Sequence, residues 1–423
     1  MELITVRPKG PLQGRVAVGG AKNSVLKLMA ACLLAEGHHV LDNVPRIADV
    51  HTMAGVLEDL GASVEWLGEH TLDIGVPGEP SAEAPWGLTE RMRASIVLLG
   101  PLTARLGEAR VPLPGGDDFG GRPIDFHVKG LEAMGAAVEL DHGYVVTRTP
   151  GRLSGAMITL EFASHTATDN LLMAAVLAKG RTVIDNAARE PEVADLAAFL
   201  CSMGARVRGA GTSRIEVEGI ERLQPARHRV LPDRVEAATF LSAVGVAGGE
   251  IVVEGAEAAH MRMLLEKLGE MGVRVTPLDE GLLAMAPRRL QAVDVATLPY
   301  PGVATDYKPL VVSMLCLADG VGIVTENLFF GGRFRYVDEL RRMGADVRAD
   351  GHHAVVRGVE RLSGVPVRAT DIRAGAALIV AGLGAEGETC VEGVAHIDRG
   401  YEDLVGKLSG LGADVSRRQE RPS

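Results

Sequence analysis

The chain has 423 residues, of which 47% are apolar and 23% charged, and its formal net charge is −11. This composition is typical of a globular protein of two or three domains. The negative charge argues against a protein that binds a nucleic-acid backbone, although it leaves room for local basic pockets that hold a small anion. No apolar run reaches the ~18 residues that a membrane-spanning helix needs, and the start, MELITVRPKG, is too polar for a signal peptide. We therefore expect a cytoplasmic protein with neither a nucleic-acid nor a membrane partner.

The cysteines lie in apolar segments and lack the spacing of a metal site. They are Cys32, Cys201, Cys316 and Cys390. We predict that all four are buried as small hydrophobic side chains in a reducing compartment.

Along the chain one pattern recurs, an amphipathic run that ends in Leu or Met, then Gly, then a short β-branched stretch. It predicts a helix that ends at a C′ glycine and is followed by a strand. The glycines are Gly61, Gly135, Gly204, Gly272, Gly344 and Gly412, separated by 74, 69, 68, 72 and 68 positions.

A second pattern, an apolar Ala-rich run, a glycine and a strand, alternates with the first. Its glycines are Gly37, Gly107, Gly180, Gly249, Gly320 and Gly387, separated by 70, 73, 69, 71 and 67 positions. Each repeat then holds two helices and three or four strands. The first helix is apolar all round and predicted to be buried, whereas the second has a charged face, as in MLLEKLGEMG, and should lie nearer solvent.

Six repeats are too many for one hydrophobic core, since cores stop growing near ~250–300 residues. The sequence therefore predicts an α/β protein of two domains with three repeats each. The chain crosses between them near LQPARHRVLPDR, residues 223–234.

The loops between the two helices of each repeat are topologically equivalent, so we expect them to gather on one side of each domain. Several carry an arginine, the residue suited to bidentate recognition of phosphate and carboxylate: Arg122, Arg189, Arg333 and Arg399. The alternative is that these are solvated loop charges. The loop PLPGGDDFGGRP, residues 112–123, also holds Asp117, for which a turn-forming role is the alternative.

Charged residues also stand where apolar helices begin. GGAKNS places Lys22 and Asn23 at such a start, which suits an anion; a surface lysine is the alternative. Later repeats place Arg93, Asp306, Asp371 and Arg373 at equivalent starts, and for Asp306 the alternative is a helix cap. No P-loop, Rossmann fingerprint, zinc spacing or Ser-His-Asp triad is present. Lysine, arginine and aspartate side chains at loops and helix starts together indicate acid–base chemistry, without a metal, on a small, doubly anionic substrate.

Ordered motifs along the whole chain also resemble a known family. They are GGAKNS, RASIVLLGPL, DFGGRPIDFH, NAAREPE, VLPDRVEAATF, ATDIRAGAALI and HIDRGYE, and they are similar to those of the UDP-N-acetylglucosamine enolpyruvyl transferase (1-carboxyvinyltransferase, MurA) family. The resemblance implies an inside-out α/β barrel pair with six repeats and an active site in the cleft between the domains. It assigns residues 22–230 to one domain, with 112–123 as its lid loop, and residues 1–21 plus 231–423 to the other.

The family transfers the enolpyruvyl group of phosphoenolpyruvate to a sugar hydroxyl in peptidoglycan precursor synthesis, releases phosphate, and needs no metal or cofactor. By matching motif, Lys22, Arg122 and Arg399 would hold the phosphate, and Arg93, Arg333 and Arg373 would add positive charge. Asp306 would take the proton of the attacking hydroxyl.

The resemblance also implies which residues contact the acceptor nucleotide. Asn23 would contact the sugar, and Ser164, His165 and Thr166 would hold the diphosphate. The uridine would be lined by Arg122, Pro123, Ile124, Asp125 and Phe126, and Asp306 and Phe329 would also contact the acceptor.

At position 117 most family members have a cysteine, which serves as general acid and is alkylated by fosfomycin; this chain resembles the minority with aspartate. Asp117 would then be the acid on a mobile lid, and the protein would be insensitive to fosfomycin. A donating aspartic acid needs a pKa raised above ~3.9 by desolvation in the closed site.

Three segments depart from the family pattern. SHTAT (164–168) replaces Ser-Val-Gly-Ala-Thr, Gly331-Gly332 replaces Glu-Asn, and Tyr307-Lys308 replaces a hydrophobic-Gln pair. Because these segments should face the acceptor, enolpyruvyl transfer to another uridine nucleotide is the alternative, such as to the 3′-hydroxyl of UMP in nucleoside-antibiotic biosynthesis. A non-catalytic nucleotide sensor is a further alternative, and the shikimate 3-phosphate enzymes fit the motifs less well.

Overall fold

A computed structural model of the chain describes residues 2–90, 92–115, 124–329 and 334–419, with the side chain of Arg93 excepted. Contacts between residues divide this part of the chain into two compact units. The first unit contains residues 20–115 and 124–231, and the second contains residues 2–19 and 232–419.

The helices of the first unit precede those of the second along the chain. They are α1 (Lys22–Cys32), α2 (Ala48–Asp59), α3 (Trp86–Thr89), α4 (Leu99–Leu106), α5 (Asp125–Ala133), α6 (His165–Ala175), α7 (Pro191–Ser202), then α8 (Arg234–Ala247), α9 (Arg262–Glu270), α10 (Lys308–Cys316), α11 (Tyr336–Arg342), α12 (Ile372–Leu383), α13 (Val394–Asp398) and α14 (Leu404–Gly410). Short 3-10 helices span Arg93–Leu98, Ala258–His260 and Thr305–Tyr307.

The strands, in chain order, are β1 (Glu2–Arg7), β2 (Leu12–Ala17), β3 (Gly37–Asp42), β4 (Ser63–Trp66), β5 (Thr71–Val76), β6 (Glu108–Pro112), β7 (Ala137–Asp141), β8 (Tyr144–Arg148), β9 (Met157–Thr159), β10 (Arg181–Asp185), β11 (Arg206–Arg208), β12 (Arg214–Glu218), β13 (Arg227–Arg229), β14 (Gly249–Glu254), β15 (Arg274–Leu278), β16 (Gly281–Ala286), β17 (Val295–Ala296), β18 (Val321–Thr325), β19 (Asp346–Asp350), β20 (His353–Arg357), β21 (Leu362–Ser363), β22 (Pro366–Arg368), β23 (Ala385–Glu386), β24 (Thr389–Glu392) and β25 (Asp414–Gln419).

The sheets of the first unit share one arrangement. Their strand orders are β13-β3-β5-β4, β11-β12-β10-β9 and β6-β8-β7. In the two four-stranded sheets one parallel pair, β13 with β3 or β9 with β10, is continued by antiparallel pairs. In the third sheet an isolated parallel bridge between Glu83 and Arg110 stands where the others have a parallel strand.

The second unit repeats the same arrangement. Its four-stranded sheets have the orders β15-β16-β14-β2, β17-β18-β20-β19 and β22-β24-β1-β25, each with one parallel and two antiparallel pairs. A short parallel ladder joins β21 and β23. The α/β class predicted from the sequence is confirmed, whereas closure into an inside-out barrel, the count of repeats and the predicted domain boundaries stay predictions.

Each unit has its own hydrophobic core, built around helices that are buried on nearly every face. α1 and α12 are examples: ten of the eleven residues of α1 and all twelve of α12 are buried. α9, by contrast, buries only Leu264 and Leu268 of its nine residues. The predicted distinction between apolar buried helices and helices with a solvent-facing charged side is therefore correct.

The glycines of both sequence patterns have left-handed backbone. Those of the first pattern have φ between 90° and 102°, and those of the second between 80° and 116°. L side chains rarely adopt this conformation. The glycines of the first pattern directly follow the C-cap residue of a helix, as predicted. Those of the second pattern, apart from Gly107 at the C-cap of α4, stand at or just before a strand. The prediction for the cysteines is wrong in part: Cys32 and Cys316 are buried, but Cys201 is exposed and Cys390 half-buried. Cys201 lies next to the last residue of α7 and on its outer side, although its sequence neighbours are apolar.

A buried ion pair joins strand ends to a helix start in the second unit. Lys308, the first residue of α10, places Nζ 2.8 Å from Oε2 of Glu326, and both side chains are 1% exposed. Thr297 and Thr305 donate their hydroxyls to the same carboxylate at 2.7 and 2.6 Å. The pKa of Glu326 lies below its ordinary value, because Lys308 and the hydroxyl donors outweigh the opposing effect of burial.

Across the described ranges, no helix is both long and apolar enough to cross a membrane. No group of three His, Cys, Asp or Glu side chains in the same ranges is arranged to hold a metal ion.

Substitution of two nearby glycines should have opposite effects on stability. Gly272, at φ 98°, ends α9, and Gly272→Ala should destabilise by about 1 kcal/mol because alanine strains the left-handed backbone. Gly269 lies inside α9 with open space around its α-carbon, so Gly269→Ala should stabilise by about 0.5 kcal/mol. Chemical unfolding midpoints measure both, and equal midpoints would contradict the role of Gly272.

Breaking the Lys308–Glu326 pair should be costly. Lys308→Met leaves a buried carboxylate without its cation and should destabilise by about 3–5 kcal/mol. Lys308→Met combined with Glu326→Gln should recover part of this loss, since no charge is then buried. Lys267→Met, which removes a surface pair with Glu270, is the control and should cost no more than about 1 kcal/mol in the same unfolding assay.

Candidate active site

Lys22 is a buried cation at the start of the first unit's central helix. It is the first residue of α1 and is 8% exposed. Its Nζ lies 2.8 Å from Oδ2 of Asp49, a buried residue in the first turn of α2. The surface-lysine alternative is therefore wrong. A buried cation at a helix N-terminus is a suitable place for an anionic group.

Some predicted residues lie outside what the structure describes. Arg93 begins a 3-10 helix, as its position in the sequence predicts, but only its backbone is described. The residues that fall outside the described ranges are Asp117, Arg122, Pro123 and Arg333. Their roles stay predictions.

The structure joins two predicted acceptor residues through a third that sequence reasoning missed. Lys27 donates its Nζ to the carbonyl of Asn23, one turn earlier in α1, and lies 3.2 Å from Nε2 of His165 at the start of α6. The same Nζ lies 3.3 Å from Oδ2 of Asp169. Lys27 and Asp169 are 4% and 0% exposed. Burial raises the pKa of Asp169 to about 7, with Lys27 opposing this shift and Glu190 and Glu192 adding to it.

Ser164 is the N-cap of α6, and its hydroxyl accepts the backbone N–H of Ala167 at 3.4 Å. Thr166 follows in the first turn, with its hydroxyl 3.5 Å from Nε2 of His127. Behind it, Asn170 lies 2.9 Å from the other ring nitrogen of His127. The three predicted diphosphate residues thus share one helix start, where the first N–H groups have no partner within the helix.

The predicted uridine-binding residues Ile124, Asp125 and Phe126 lie at the start of α5. Ile124 is the N-cap residue and Asp125 lies in the first turn. Phe126 and Ile124 are partly buried against the core of the first unit. The backbone therefore presents these residues consecutively, immediately after the loop that carries Asp117 in the sequence.

In the second unit the structure brings Asp306 and Arg373 together. Arg373 places Nη2 3.4 Å from Oδ2 of Asp306 and Nη1 3.3 Å from the hydroxyl of Tyr401. Burial alone would lower the pKa of Arg373, but Tyr401 and Asp306 outweigh it, so the pKa lies above its ordinary value and the guanidinium stays charged. Asp306 keeps 27% of its side chain exposed, so its carboxylate remains accessible.

The alternative of Asp306 as a helix cap is not observed. The 3-10 helix Thr305–Tyr307 has Ala304 at its N-cap position and no side-chain cap. Asp371 does cap a helix: its Oδ1 accepts the N–H groups of Arg373 at 2.9 Å and Ala374 at 2.8 Å. Asp371 therefore fixes the start of α12, which in turn places Arg373 beside Asp306.

The two remaining predicted residues of the second unit lie near helix and strand ends. Arg399 is half-buried in the C-cap position of α13. Phe329 is 36% exposed, and its backbone N–H donates to Glu326 at 3.3 Å, beside the N–H of Leu328 at 2.9 Å. The ion pair of Lys308 and Glu326 thus anchors the segment that leads to Arg333.

Sequence reasoning missed Asp49, Lys27, Asp169 and Tyr401, although one signal was present. Asn23 and Lys27, and likewise His165 and Asp169, are four positions apart, and residues at this spacing share a helix face. Polar residues repeated on one face of otherwise apolar helices therefore indicated an internal cluster. Which helices face each other could not be read from the spacing.

The chain matches the model of the EPSP synthase (3-phosphoshikimate 1-carboxyvinyltransferase) family over residues 6–408. It is 50% identical over 410 residues to a UDP-N-acetylglucosamine 1-carboxyvinyltransferase of Symbiobacterium thermophilum, covering 96% of this chain and 93% of that one. It is 51% identical over 406 residues to the protein of the same name from Mycobacterium bovis, with 96% of each chain covered.

Solved structures agree with the sequence relatives. The enolpyruvyl transferase NikO from Streptomyces tendae superposes with a TM-score of 0.88 at 25% identity, with 98% of each chain covered. EPSP synthase from Acinetobacter baumannii has the same fold, with a TM-score of 0.78 at 18% identity over 99% of this chain and 100% of that one. The chain belongs to the EPSP synthase (3-phosphoshikimate 1-carboxyvinyltransferase) family, within which its sequence groups with the UDP-N-acetylglucosamine 1-carboxyvinyltransferases.

Proposed function

We propose that the protein transfers the enolpyruvyl group of phosphoenolpyruvate to the 3-hydroxyl of UDP-N-acetylglucosamine and releases phosphate. The observation that carries this proposal is the identity of 50% and 51% to relatives of that name over 96% of the chain. The family match over residues 6–408 supports the same class of reaction. The reaction supplies a peptidoglycan precursor and takes place in the cytoplasm.

The chemistry is an addition followed by an elimination. A general acid protonates the methylene carbon of phosphoenolpyruvate, and the sugar hydroxyl oxygen forms a bond to C2 as it loses its proton to a base. The resulting tetrahedral intermediate loses a proton from the new methyl group and breaks its C–O bond to phosphate. All three proton transfers are tasks for acid or base groups held close to the reacting atoms, and carboxyl groups are suited to them.

Asp306 is the base that takes the hydroxyl proton. Its carboxylate is accessible, and its contact with Arg373 holds it in one orientation. An arginine beside the base also suits the carboxylate or phosphate of phosphoenolpyruvate, since guanidinium binds such anions in bidentate fashion. Asp371 supports the pair by capping α12.

Cations bind the anionic donor. Lys22 and Arg399 hold its phosphate together with Arg122, and Arg93, Arg333 and Arg373 add positive charge. The support from the described residues is that Lys22 and Arg373 are buried yet charged, each with a carboxylate partner. On the acceptor side, Asn23 contacts the sugar, Ser164, His165 and Thr166 the diphosphate, and Ile124, Asp125 and Phe126 the uridine, with Pro123 and Phe329 beside it.

Phosphate release with each acceptor tests the proposal. We expect phosphoenolpyruvate and UDP-N-acetylglucosamine to give phosphate and the enolpyruvyl ether of the sugar nucleotide. With UMP as acceptor we expect neither product. Asp306→Asn should lower kcat by roughly 10²–10⁴-fold while calorimetric nucleotide binding is kept. Asp319→Asn is the control and should leave both unchanged, because Asp319 is an exposed residue whose backbone forms an isolated bridge with Gln291.

Turnover with UMP and none with the sugar nucleotide would overturn the choice of acceptor. Nucleotide binding without phosphate release from either acceptor would instead favour the non-catalytic sensor.

Asp117 is the proposed general acid, and fosfomycin tests it. The wild-type protein should show no covalent adduct by mass spectrometry after incubation with fosfomycin and the sugar nucleotide, because an aspartate is not the thiolate that the drug alkylates. Asp117→Cys should gain the adduct and Asp117→Asn should lose turnover with nucleotide binding kept. Wild-type rates for Asp117→Asn would remove Asp117 from the acid role.

A further inference from the structure

The ammonium of Lys27 contacts three different groups in the interior of the first unit. It donates to the carbonyl of Asn23, and lies 3.2 Å from Nε2 of His165 and 3.3 Å from Oδ2 of Asp169. An ammonium has three N–H donors and no lone pair. Two of these contacts are hydrogen bonds and the third is an ion pair, and together they fix a side chain that is only 4% exposed.

The contact with His165 determines the protonation of its ring. Because the ammonium of Lys27 only donates, Nε2 of His165 is the acceptor in this hydrogen bond and carries no proton in this arrangement. Oδ2 of Asp169 lies 3.3 Å from the same nitrogen but forms no hydrogen bond with it. The proton of the neutral ring then lies on Nδ1, on the opposite edge. The His165 side chain keeps 21% of its surface exposed, so the ring reaches from the buried cluster to the start of α6.

Asp169 balances the buried charge. It lies one turn after His165 on α6, its side chain is fully buried, and its Oδ2 is 3.3 Å from both Lys27 Nζ and His165 Nε2. A buried ammonium without a carboxylate nearby would be expensive to desolvate. Asp169 is therefore the carboxyl group that faces the buried Lys27 behind the first turns of α1 and α6.

The cluster lies at the start of α6, in the SHTAT segment that the family resemblance assigns to the diphosphate contact. The His165 side chain contacts Lys27 in the interior of the unit, and the hydroxyl of Thr166 contacts His127. Both side chains at this helix start are therefore ordered by contacts with the interior.

We propose that Lys27 is a positioning residue for the acceptor nucleotide: it ties Asn23 to His165 and fixes the His165 ring so that Nδ1–H donates to an anionic oxygen of the nucleotide's diphosphate. This inference rests on the proposed function, which places the acceptor at Asn23 and His165. The inference adds Lys27, which does not touch the substrate, to the acceptor site. It also assigns a tautomer to His165, which does.

Steady-state kinetics with phosphoenolpyruvate and UDP-N-acetylglucosamine test the proposal. Lys27→Met should raise the KM of the sugar nucleotide by roughly 10-fold or more, since a lost hydrogen bond to a charged group has about that effect, with the KM of phosphoenolpyruvate within about twofold. Lys179→Met, an exposed lysine of the same unit, is the matched control and should leave both constants unchanged.

Two substitutions of His165 test whether an N–H donor at this position is what the acceptor needs. His165→Asn keeps an N–H donor near the place of Nδ1 and should keep the acceptor KM within about threefold of the wild-type value, whereas His165→Leu should raise it as Lys27→Met does. Lys27→Met combined with Asp169→Asn removes both buried charges. If Lys27→Met alone does not fold, this double variant still tests the proposal. It should show the same rise in the KM of the sugar nucleotide as Lys27→Met.

The tautomer is measured without any reliance on turnover. Two-dimensional ¹H–¹⁵N spectra of protein with ¹⁵N-labelled histidine should show His165, assigned by its loss in His165→Asn, as Nδ1-protonated, and Lys27→Met combined with Asp169→Asn should change this pattern. An Nε2-protonated ring in the wild-type protein, or an unchanged acceptor KM in both Lys27 variants, would overturn the inference. Absence of wild-type turnover with the sugar nucleotide would instead refute the proposed function, and the spectra would still decide whether Lys27 fixes the ring.

Discussion

The structure depends on one constraint, that a positively charged side chain is costly to bury in an apolar core unless partners offset its desolvation. Of the five buried lysine and arginine side chains in the described part of the chain, four are paired with carboxylates, as Lys22–Asp49, Lys27–Asp169, Lys308–Glu326 and Arg373–Asp306, and Arg234 donates to the hydroxyl of Tyr307 at 3.2 Å. Each pair joins two separate elements of one unit, and each cation stands on an apolar helix, within its first two turns. Because charges are costly to bury, such pairs are weak evidence for stability and better evidence that charge is needed at these positions.

The pairs differ in solvent exposure, and this difference distinguishes a pair with a structural role from one suited to catalysis. Lys308 and Glu326 are 1% exposed, and every described contact of the Glu326 carboxylate is with a protein donor, so the pair holds the segment 326–329 in place. Asp306 keeps 27% of its side chain exposed beside Arg373. The accessible carboxylate is the one suited to proton transfer, and the dry one is suited to holding a loop.

Local backbone chemistry explains why much of the fold could be predicted. Glycine is favoured wherever the backbone needs a positive φ, so the first glycine pattern placed helix ends and the second placed strand starts along the chain. The apolar helices were predictable for the same reason, since their burial follows from their own composition. Cys201 shows the limit: its neighbours are apolar, but its position on the outer side of α7 depends on which way the helix faces.

The site was predicted less completely, because it depends on contacts between elements far apart in sequence. Motifs indicated Lys22, Asp306 and Arg373, and the structure brings the last two together. The partner that makes each cation stable was not indicated: Asp49 lies 27 positions after Lys22, and Asp169 lies 142 positions after Lys27. Resemblance to a family also says little about such partners where the segment itself departs from the family pattern, as at His165.

The central claim is that Lys22 and Arg373, together with Arg399, bind a small, multiply anionic donor and that Asp306 takes the proton of the attacking hydroxyl. A crystal structure with phosphoenolpyruvate and UDP-N-acetylglucosamine bound tests it most directly. The account predicts that the donor's phosphate and carboxylate contact Lys22, Arg373 and Arg399 and that the sugar hydroxyl lies within hydrogen-bond distance of Asp306. A donor bound elsewhere, with these four side chains contacting only protein or solvent, would contradict it.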